Sequence, residues 1–453
     1  MKEKVFLGIL LSFFLTGASF AGEPLVLNLQ DSIERALNYN LDVQIARIKV
    51  EKAKLELKKE KASFKPQANI SAYPLQWKGE YSFLEYSPQA GFNASFSTLW
   101  GMNATLSVTQ QKGEDDKIEG TLSFTITQKI LPTPKLASPY LSLRKFLLNL
   151  DKEKIASEEE IEDIKLVVVT SFYKILKQQK EYELKKLFFE KAKENLSIVK
   201  DKLKRKMASK LDLMDAQIEF IKAQEELYQA ESGLSQSMID FKELLGIKPD
   251  EEVVLEDKSS IEDHFIKIKL EDAIKKALEN NRQINQQKLT IKMRRFDLLT
   301  SKSEVSPSLN LLAGYNYNKQ EQKQEEYRIG MYVEIPLLDG GRGETETQIA
   351  QKELEKEKLN LEKLKQKISG EIRENFYELK RLEKRLLFLK LSQEKQKEAL
   401  NIAKKMFSQG ALTSQEVRER EVSLKQAEID YLSALGDYEI VKAKLLKSIG
   451  EGI

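Results

Sequence analysis

The sequence predicts a mainly α-helical protein with a β-barrel part, built from two copies of one unit. Three observations lead there. First, the chain repeats itself. Leu29, Asp31, Ile33, Ala36, Leu37, Asn40, Leu57, Lys61 and Pro66 return as Leu270, Asp272, Ile274, Ala277, Leu278, Asn281, Leu298, Lys302 and Pro307, each 241 positions on without a gap. Second, apolar residues step by three or four over very long stretches, the mark of a helix with one buried stripe. Third, short segments alternate apolar and small polar residues, the period of a strand.

A second echo closes each copy. Ser209, Asp212, Leu213, Leu245 and Gly246 match Thr413, Glu416, Val417, Ile449 and Gly450, 204 positions apart. Two copies are too few for a solenoid, so a pseudo-symmetric pair is expected. The boundaries follow: a leader at 1–21, copy 1 at 22–246, a polar linker at 247–269 and copy 2 at 270–453.

The bulk numbers exclude several functions. The 453 residues carry 74 Lys+Arg against 71 Asp+Glu, a net charge of +3, so nothing points to nucleic acid. Mixed-sign blocks such as Glu353 to Lys358 read as solvated helix surface. With no cysteine and one histidine, disulfides, thiol chemistry, a Cys/His zinc site and a Ser-His-Asp arrangement are excluded or nearly so. His264 lies in the polar linker. No catalytic residue, cofactor or metal site is expected.

Lys2 and Lys4 precede an apolar run from Val5 to Leu15, and Ser19 and Ala21 precede Gly22, the pattern of a secretory leader cut after Ala21. The run is too short to span about 30 Å of hydrocarbon, and no later stretch reads as a membrane-spanning helix. A mature chain of this kind is periplasmic, secreted or a barrel in an outer membrane.

In order, the periodicity predicts a helix over 29–63 stopped by Pro66, then a strand from Asn69 to Tyr73. In the strand from Thr121 to Gln128, Leu122, Phe124 and Ile126 alternate with Thr121, Ser123, Thr125 and Thr127. A barrel with lipid outside and water inside needs this alternation; half of a soluble sandwich is the competing reading. A long helix follows over 140–205, with Ile161, Ile164, Val168, Phe172 and Ile175 on its stripe, then a helix from Ser209 to Gly246. Copy 2 gives a helix over 270–304 and strands from Leu309 to Tyr317 and Tyr327 to Ile335. Ile329, Met331 and Val333 form the apolar face of the last strand. The run Asp339-Gly340-Gly341-Arg342-Gly343 reads as a strand-to-helix turn, since a phosphate loop would add Lys-Ser/Thr. A helix over 344–408 carries Ile368, Ile372, Phe376, Leu379, Leu382 and Leu386, Gly410 breaks it, and a last helix runs over 413–448.

At 1.5 Å per residue, the 65-residue patterns extend roughly 100 Å, too long for one globular core. In each copy the two shorter helices sum to about one long helix and can lie beside it end to end. Four expected strands cannot close a barrel, so other subunits must complete it.

The chain resembles the TolC-like outer-membrane efflux protein family, the outer-membrane factors of tripartite pumps. The likeness rests on the duplicated opening best seen from Leu270 to Asn281, on Pro307, on Pro336-Leu337-Leu338-Asp339-Gly340-Gly341, and on Gly410-Ala411-Leu412-Thr413-Ser414-Gln415-Glu416-Val417. It covers nearly all of the mature chain. It implies a homotrimer in outer-membrane lipid, four strands per subunit completing a 12-stranded barrel, and long helical hairpins forming a periplasmic tunnel. It also implies docking by a periplasmic adaptor, with Lys206, Ser209, Gly410 and Thr413 at the helical-turn tips. The drive would come from an inner-membrane transporter of the RND, ABC or MFS type. The function implied is a passive exit duct for small molecules, metals or proteins in efflux or type I secretion. A periplasmic adaptor is the alternative, and a secreted enzyme or scaffold a more distant one.

The resemblance also places the pore gate after the Gly410 turn, at Glu416 and Glu419, with Asp212 and Asp215 in copy 1; the family's matching acids bind cations there. The competing reading is local, because Thr413 to Glu416 and Ser209 to Asp212 are capping-box patterns. Phe407 replaces a usual aromatic hydroxyl and Leu412 a usual basic residue, so closure would rest more on packing than on hydrogen bonds. Lys206 replaces the Gly410 equivalent, so that turn is expected to differ in shape. Pro66 to Gly246 spans 180 positions against 143 from Pro307 to Gly450, a surplus of 37 in copy 1. The surplus is placed between Leu75 and Gly120 (insertion about 76–119), as a longer extracellular loop in preference to an added strand pair. Phe92 to Ser97 and Thr105 to Thr109 alternate, Gly113 to Asp116 reads as an exposed turn, and Trp77, Tyr81, Phe83, Tyr86 and Trp100 suit the lipid-headgroup level.

Overall fold

A computed structural model describes residues 25–74, 77–78, 85–86, 88–112, 118–133, 138–256, 265–319 and 323–452. The leader, His264 and the turn at Gly113 to Asp116 lie outside the described residues. The elements are β1 (Leu25–Leu27), α1 (Leu29–Tyr39), α2 (Leu41–Ala62), β2 (Gln67–Tyr73), β3 (Trp77–Lys78), β4 (Glu85–Tyr86), β5 (Gln89–Ser97), β6 (Met102–Lys112), β7 (Ile118–Leu131) and α3 (Ser138–Lys204). There follow α4 (Lys210–Leu244), β8 (Val253–Leu255), α5 (Leu270–Asn280), α6 (Arg282–Glu304), β9 (Ser308–Lys319), β10 (Lys323–Glu334), α7 (Arg342–Ser408) and α8 (Ser414–Ile449). The fold is mainly helical with an antiparallel sheet. Among the described residues, no helix is long and apolar enough to cross a membrane.

The long helices match their periodicities to within a few residues, and α3 and α7 each run for 67 residues. The helices expected over 29–63 and 270–304 are each broken, at Asn40 and at Asn281. The reason is chemical. Asn281 leaves helical geometry to cap α6, its side chain accepting from the Ile284 N–H at 3.1 Å. Its Nδ2 then donates to the Ser448 carbonyl in the last turn of α8 at 2.9 Å. Asn40 does likewise, donating from Nδ2 to the Leu244 carbonyl at the end of α4 at 3.0 Å. Glycine completes each clasp. Gly246 (φ +63°) lies so close to Tyr39, and Gly450 (φ +79°) to Asn280, that an added Cβ would come within 2.8 and 2.7 Å of them. Both positions need the left-handed backbone and the missing side chain.

The described chain divides into two compact units. Unit 1 holds residues up to Asn40, Val167–Phe265 and Lys384–Asp437. Its core includes Phe172, Phe241 and Leu245, all at most 1% exposed. Gly436 allows α8 to approach Tyr173 of α3, where a Cβ would meet that side chain at 2.8 Å. Unit 1 also holds a parallel pairing of β1 with β8. Sequence reading left β8 inside a polar linker, because three residues are too few to display a period.

Unit 2 holds Leu41–Leu166, Ile266–Glu383 and the chain from Tyr438 onward. Ala53, Leu57 and Leu150 form a buried cluster with Val50, Leu143, Phe146 and Leu147 around it. Glu60 accepts from Ser142 at 2.7 Å, and Lys145 pairs with Asp297 at 2.5 Å, tying α3 to α2 and to α6. Burial alone would depress the Lys447 ammonium, but Asp163 and Glu159 of α3 raise it, Glu159 at 3.2 Å.

Unit 2 carries one antiparallel sheet in the order β10-β9-β7-β6-β5-β2. It has six strands where sequence reading expected four. The surplus of copy 1 therefore contains an added strand pair, β5 and β6, which corrects the preference for a loop. Trp77 of β3 pairs with Tyr86 of β4, whereas Trp100 sits in the β5–β6 turn beside Gln128, at the other end of the strands. Tyr81 and Phe83 fall outside the described residues.

Removing the Asn281 clasp should weaken unit 2. Asn281→Ala loses the cap and leaves the Ser448 carbonyl without this donor, costing about 2–3 kcal/mol. Asn281→Asp keeps the cap acceptor and loses only the donor. Urea midpoints should fall for both, further for Ala; an unchanged midpoint for Asp would show that the Ser448 bond contributes nothing.

Candidate functional site

Two regions hold the residues expected to act: the helical turns of unit 1 and the sheet of unit 2.

The α3–α4 and α7–α8 turns share one hydrogen-bond pattern. Lys206 N donates to Leu203 O at 2.9 Å and Met207 N to Lys202 O at 2.8 Å; Gly410 N donates to Phe407 O and Ala411 N to Met406 O, both at 2.9 Å. These are paired helix-terminating bonds closed by a left-handed residue. Lys206 takes that role at φ 59° and Gly410 at φ 75°. The expected difference in shape is absent: Lys206 accepts the left-handed strain, and its turn follows the same path.

After each turn comes a reciprocal cap. Asp212 N donates to Ser209 Oγ at 3.1 Å, and Ser209 N donates to Asp212 Oδ2 at 2.6 Å. Glu416 N donates to Thr413 Oγ1 at 3.3 Å, while the Thr413 N–H and hydroxyl donate to Glu416 Oε2 at 2.8 and 2.9 Å. The Thr413 backbone donor holds Glu416 below its ordinary 4.5, and the Ser209 backbone donor holds Asp212 below 3.8. Both carboxylates are therefore charged at neutral pH. Lowered values mean that the caps stabilise fully above the unfolded pKa and lose that contribution as pH falls through the folded one. Glu419 and Asp215 are exposed one turn further along α8 and α4, outside the caps. Gln415 Nε2 donates to Glu419 Oε1 at 3.4 Å. Phe407 is 48% exposed and Leu412 half-buried. Among the described residues of a single chain, no three carboxylates lie close enough to hold a metal ion.

Sequence reading missed the ion pairs that hold these helices together. Arg418 of α8 reaches Glu194 of α3, and Lys425 of α8 donates to Glu183 of α3 at 2.9 Å. Burial raises Glu183, and Lys425 with Lys180 more than reverses it. On the other side of α3, Lys185 donates to Glu226 of α4 at 2.8 Å, and Asn195 to Glu219 at 3.3 Å. The Arg418 and Lys425 partners are 224 and 242 positions away, beyond the reach of any periodicity.

The sheet keeps apolar and polar residues largely on opposite faces across all six strands. Ala68, Ala94, Leu106, Phe124, Tyr315 and Tyr327 form one row from β2 to β10. The next row on that face runs Phe96, Ala104, Ile126, Ala313 and Ile329. Between them, on the opposite face, run Gln67, Ser95, Thr105, Thr125, Gly314 and Arg328. Leu122, Phe124, Ile126, Ile329, Met331 and Val333 therefore share a face, as the alternation requires. On the edge strand β10 the apolar side is bare: Ile329 is 91% exposed and Met331 70%.

Residues 273–451 match the family model described as outer membrane efflux protein. A comparison with curated protein sequences finds no match. Among solved structures, the chain is similar to CusC, at 15% identity over 97% of this chain and 96% of that one, with a TM-score of 0.66. It is similar to the CmeC outer membrane channel of Campylobacter jejuni, at 14% identity over 94% and 86%, TM-score 0.67. The outer membrane protein VceC of Vibrio cholerae is 14% identical over 94% and 96%, TM-score 0.64.

Lys206 provides a direct check on the turn geometry. Lys206→Gly should raise stability by about 0.5–1 kcal/mol by relieving left-handed strain, less the entropy that glycine adds to the unfolded chain, whereas Lys206→Ala should change little. Equal thermal midpoints for all three proteins would rule the strain out.

Residues 273–451 thus match the outer membrane efflux protein model, and the chain over nearly its whole length shares the fold of the outer-membrane channels it is similar to.

Proposed function

We propose that three copies of this chain form a passive exit duct through the outer membrane, with the paired helices as a periplasmic tunnel. The duct would serve a tripartite efflux pump or a type I secretion system. The sheet carries the reading. Among the described residues, one face is largely apolar, the other is mainly Ser, Thr, Asn and Gln with Glu326, Arg328 and Glu334 on β10, and β2 and β10 leave two edges unpaired. In hydrocarbon every backbone group must be paired, so such a sheet is stable only within a closed ring. Leu122, Phe124, Ile126, Ile329, Met331 and Val333 would face lipid and the polar face would line the lumen.

The helices support the same assembly. Leu211, Met214, Ile218, Ile221 and Tyr228 make a stripe on α4, with Leu211 71% exposed and Ile218 63%. Stripes at this spacing are seams for other helices, and a neighbouring copy covers this one in the proposed trimer. A periplasmic adaptor would dock at the tips, at Lys206, Ser209, Gly410 and Thr413, and an inner-membrane transporter of the RND, ABC or MFS type would supply cargo. The adaptor alternative finds no support, because the family match and the channel fold both point to the duct. A lumen lined by small polar side chains suits small molecules, metals or proteins without choosing among them.

At the periplasmic mouth, Glu416 and Glu419, with Asp212 and Asp215 nearby, would form acidic rings in a trimer. Capping accounts for Glu416 and Asp212 locally, but it does not use Glu419 or Asp215. Gln at position 416 can still cap, so Glu416→Gln with Glu419→Gln removes charge and spares the turn. In mild detergent the native protein should migrate as a heat-resistant trimer. In planar bilayers it should be blocked by divalent cations from the periplasmic side, and the double variant should be blocked roughly tenfold less. Unchanged block would leave these residues as caps only, and a monomer without conductance would remove the duct.

A further inference from the structure

We propose that β5 and β6 are wall strands, so that each subunit contributes six strands and three copies close an eighteen-stranded barrel. The inference rests on the trimeric reading above and departs from the twelve strands that the family resemblance implies.

The added hairpin is built as wall. A surface loop has no reason to keep one face apolar, yet Phe92, Ala94 and Phe96 of β5 and Ala104, Leu106 and Val108 of β6 all fall on the face of Phe124. Their alternates are Asn93 and Ser95 on β5 and Thr105 and Ser107 on β6, on the polar side. The hairpin is also inserted within the sheet. β5 pairs with β2 over seven residues, and β6 pairs with β7 over eleven, from Met102↔Gln128 to Lys112↔Ile118, without interruption. Removing it would leave β7 without one of its two neighbours.

Chain direction permits closure. All five neighbouring pairs in the sheet are antiparallel, so β2 and β10 at its two edges run in opposite directions. β10 of one copy can therefore meet β2 of the next as one more antiparallel pair, and three copies give an even total, as single-chain outer-membrane barrels have. At about 4.8 Å between strands and a tilt near 40°, eighteen strands give a backbone radius of about 18 Å, against about 12 Å for twelve. The added hairpin thus widens the outer-membrane opening by about half.

The test is cryo-electron microscopy of the full-length native protein in lipid nanodiscs. A section through the barrel should show six strands per copy and eighteen in all. Twelve strands, with residues 89–112 outside the wall, would overturn the proposal. A ring of some other number of copies would instead overturn the trimer, and strands per copy would still be counted directly. A second measurement uses the absence of native cysteine. Phe92→Cys and Val108→Cys, each carrying a small fluorophore in proteoliposomes, should be quenched several-fold more by acyl-chain nitroxide lipids than Asn93→Cys and Ser107→Cys. Equal quenching at all four positions would place the hairpin outside the lipid and sink the idea.

Discussion

The constraint on which the account depends is that a sheet exposed to hydrocarbon cannot keep an open edge. Water satisfies the edge of a soluble sheet, but lipid offers neither donors nor acceptors, and each unpaired peptide group there costs several kcal/mol. The six strands of this chain have an apolar face suited to lipid and edges at β2 and β10 that one copy cannot close. In the proposed assembly, the need for other copies begins with backbone hydrogen bonding, before any helix is considered. Helices meet the same demand within themselves, which is why α3 and α7 can run for 67 residues as polar-surfaced rods with a single buried stripe.

The clasps at Asn40 and Asn281 do for the helices what strand pairing does for the sheet. Each ends one helix, and its amide secures the carbonyl end of the last long helix of the same copy. Each is backed by a glycine whose hydrogen leaves room for the neighbouring backbone. The two echoes in the sequence, one near the start of each copy and one at its end, are the two sides of this contact. At Asn281 a single side chain acts as cap and tether, so one substitution would loosen both a helix start and a helix end.

Much of this was legible in the sequence. The long helices show in their apolar stripes, and the faces of β7 and β10 in strict alternation. The added strands were half legible: Phe92 to Ser97 and Thr105 to Thr109 alternate as clearly as β7, but alternation does not say which strand is the neighbour. The breaks at Asn40 and Asn281 were hidden because helical periodicity continues through them, and the distant carbonyl that each amide reaches cannot be read from the local sequence. Within the candidate site, the caps at Ser209 and Thr413 were legible from a spacing of three. Arg418–Glu194 and Lys425–Glu183 were not, since only the fold brings those residues together. Lys206 misled in the other direction, because a lysine gives no hint that its backbone has adopted a glycine-like turn.

The central claim is that one face of the sheet meets lipid and the other meets water. It is tested most directly by modifying single cysteines along β7 during single-channel recording, in a chain with no native cysteine. A charged methanethiosulfonate reagent should react at Ser123→Cys, Thr125→Cys and Thr127→Cys and alter the current, and leave Leu122→Cys, Phe124→Cys and Ile126→Cys untouched. Uniform reactivity, or current changes at the apolar positions instead, would contradict it.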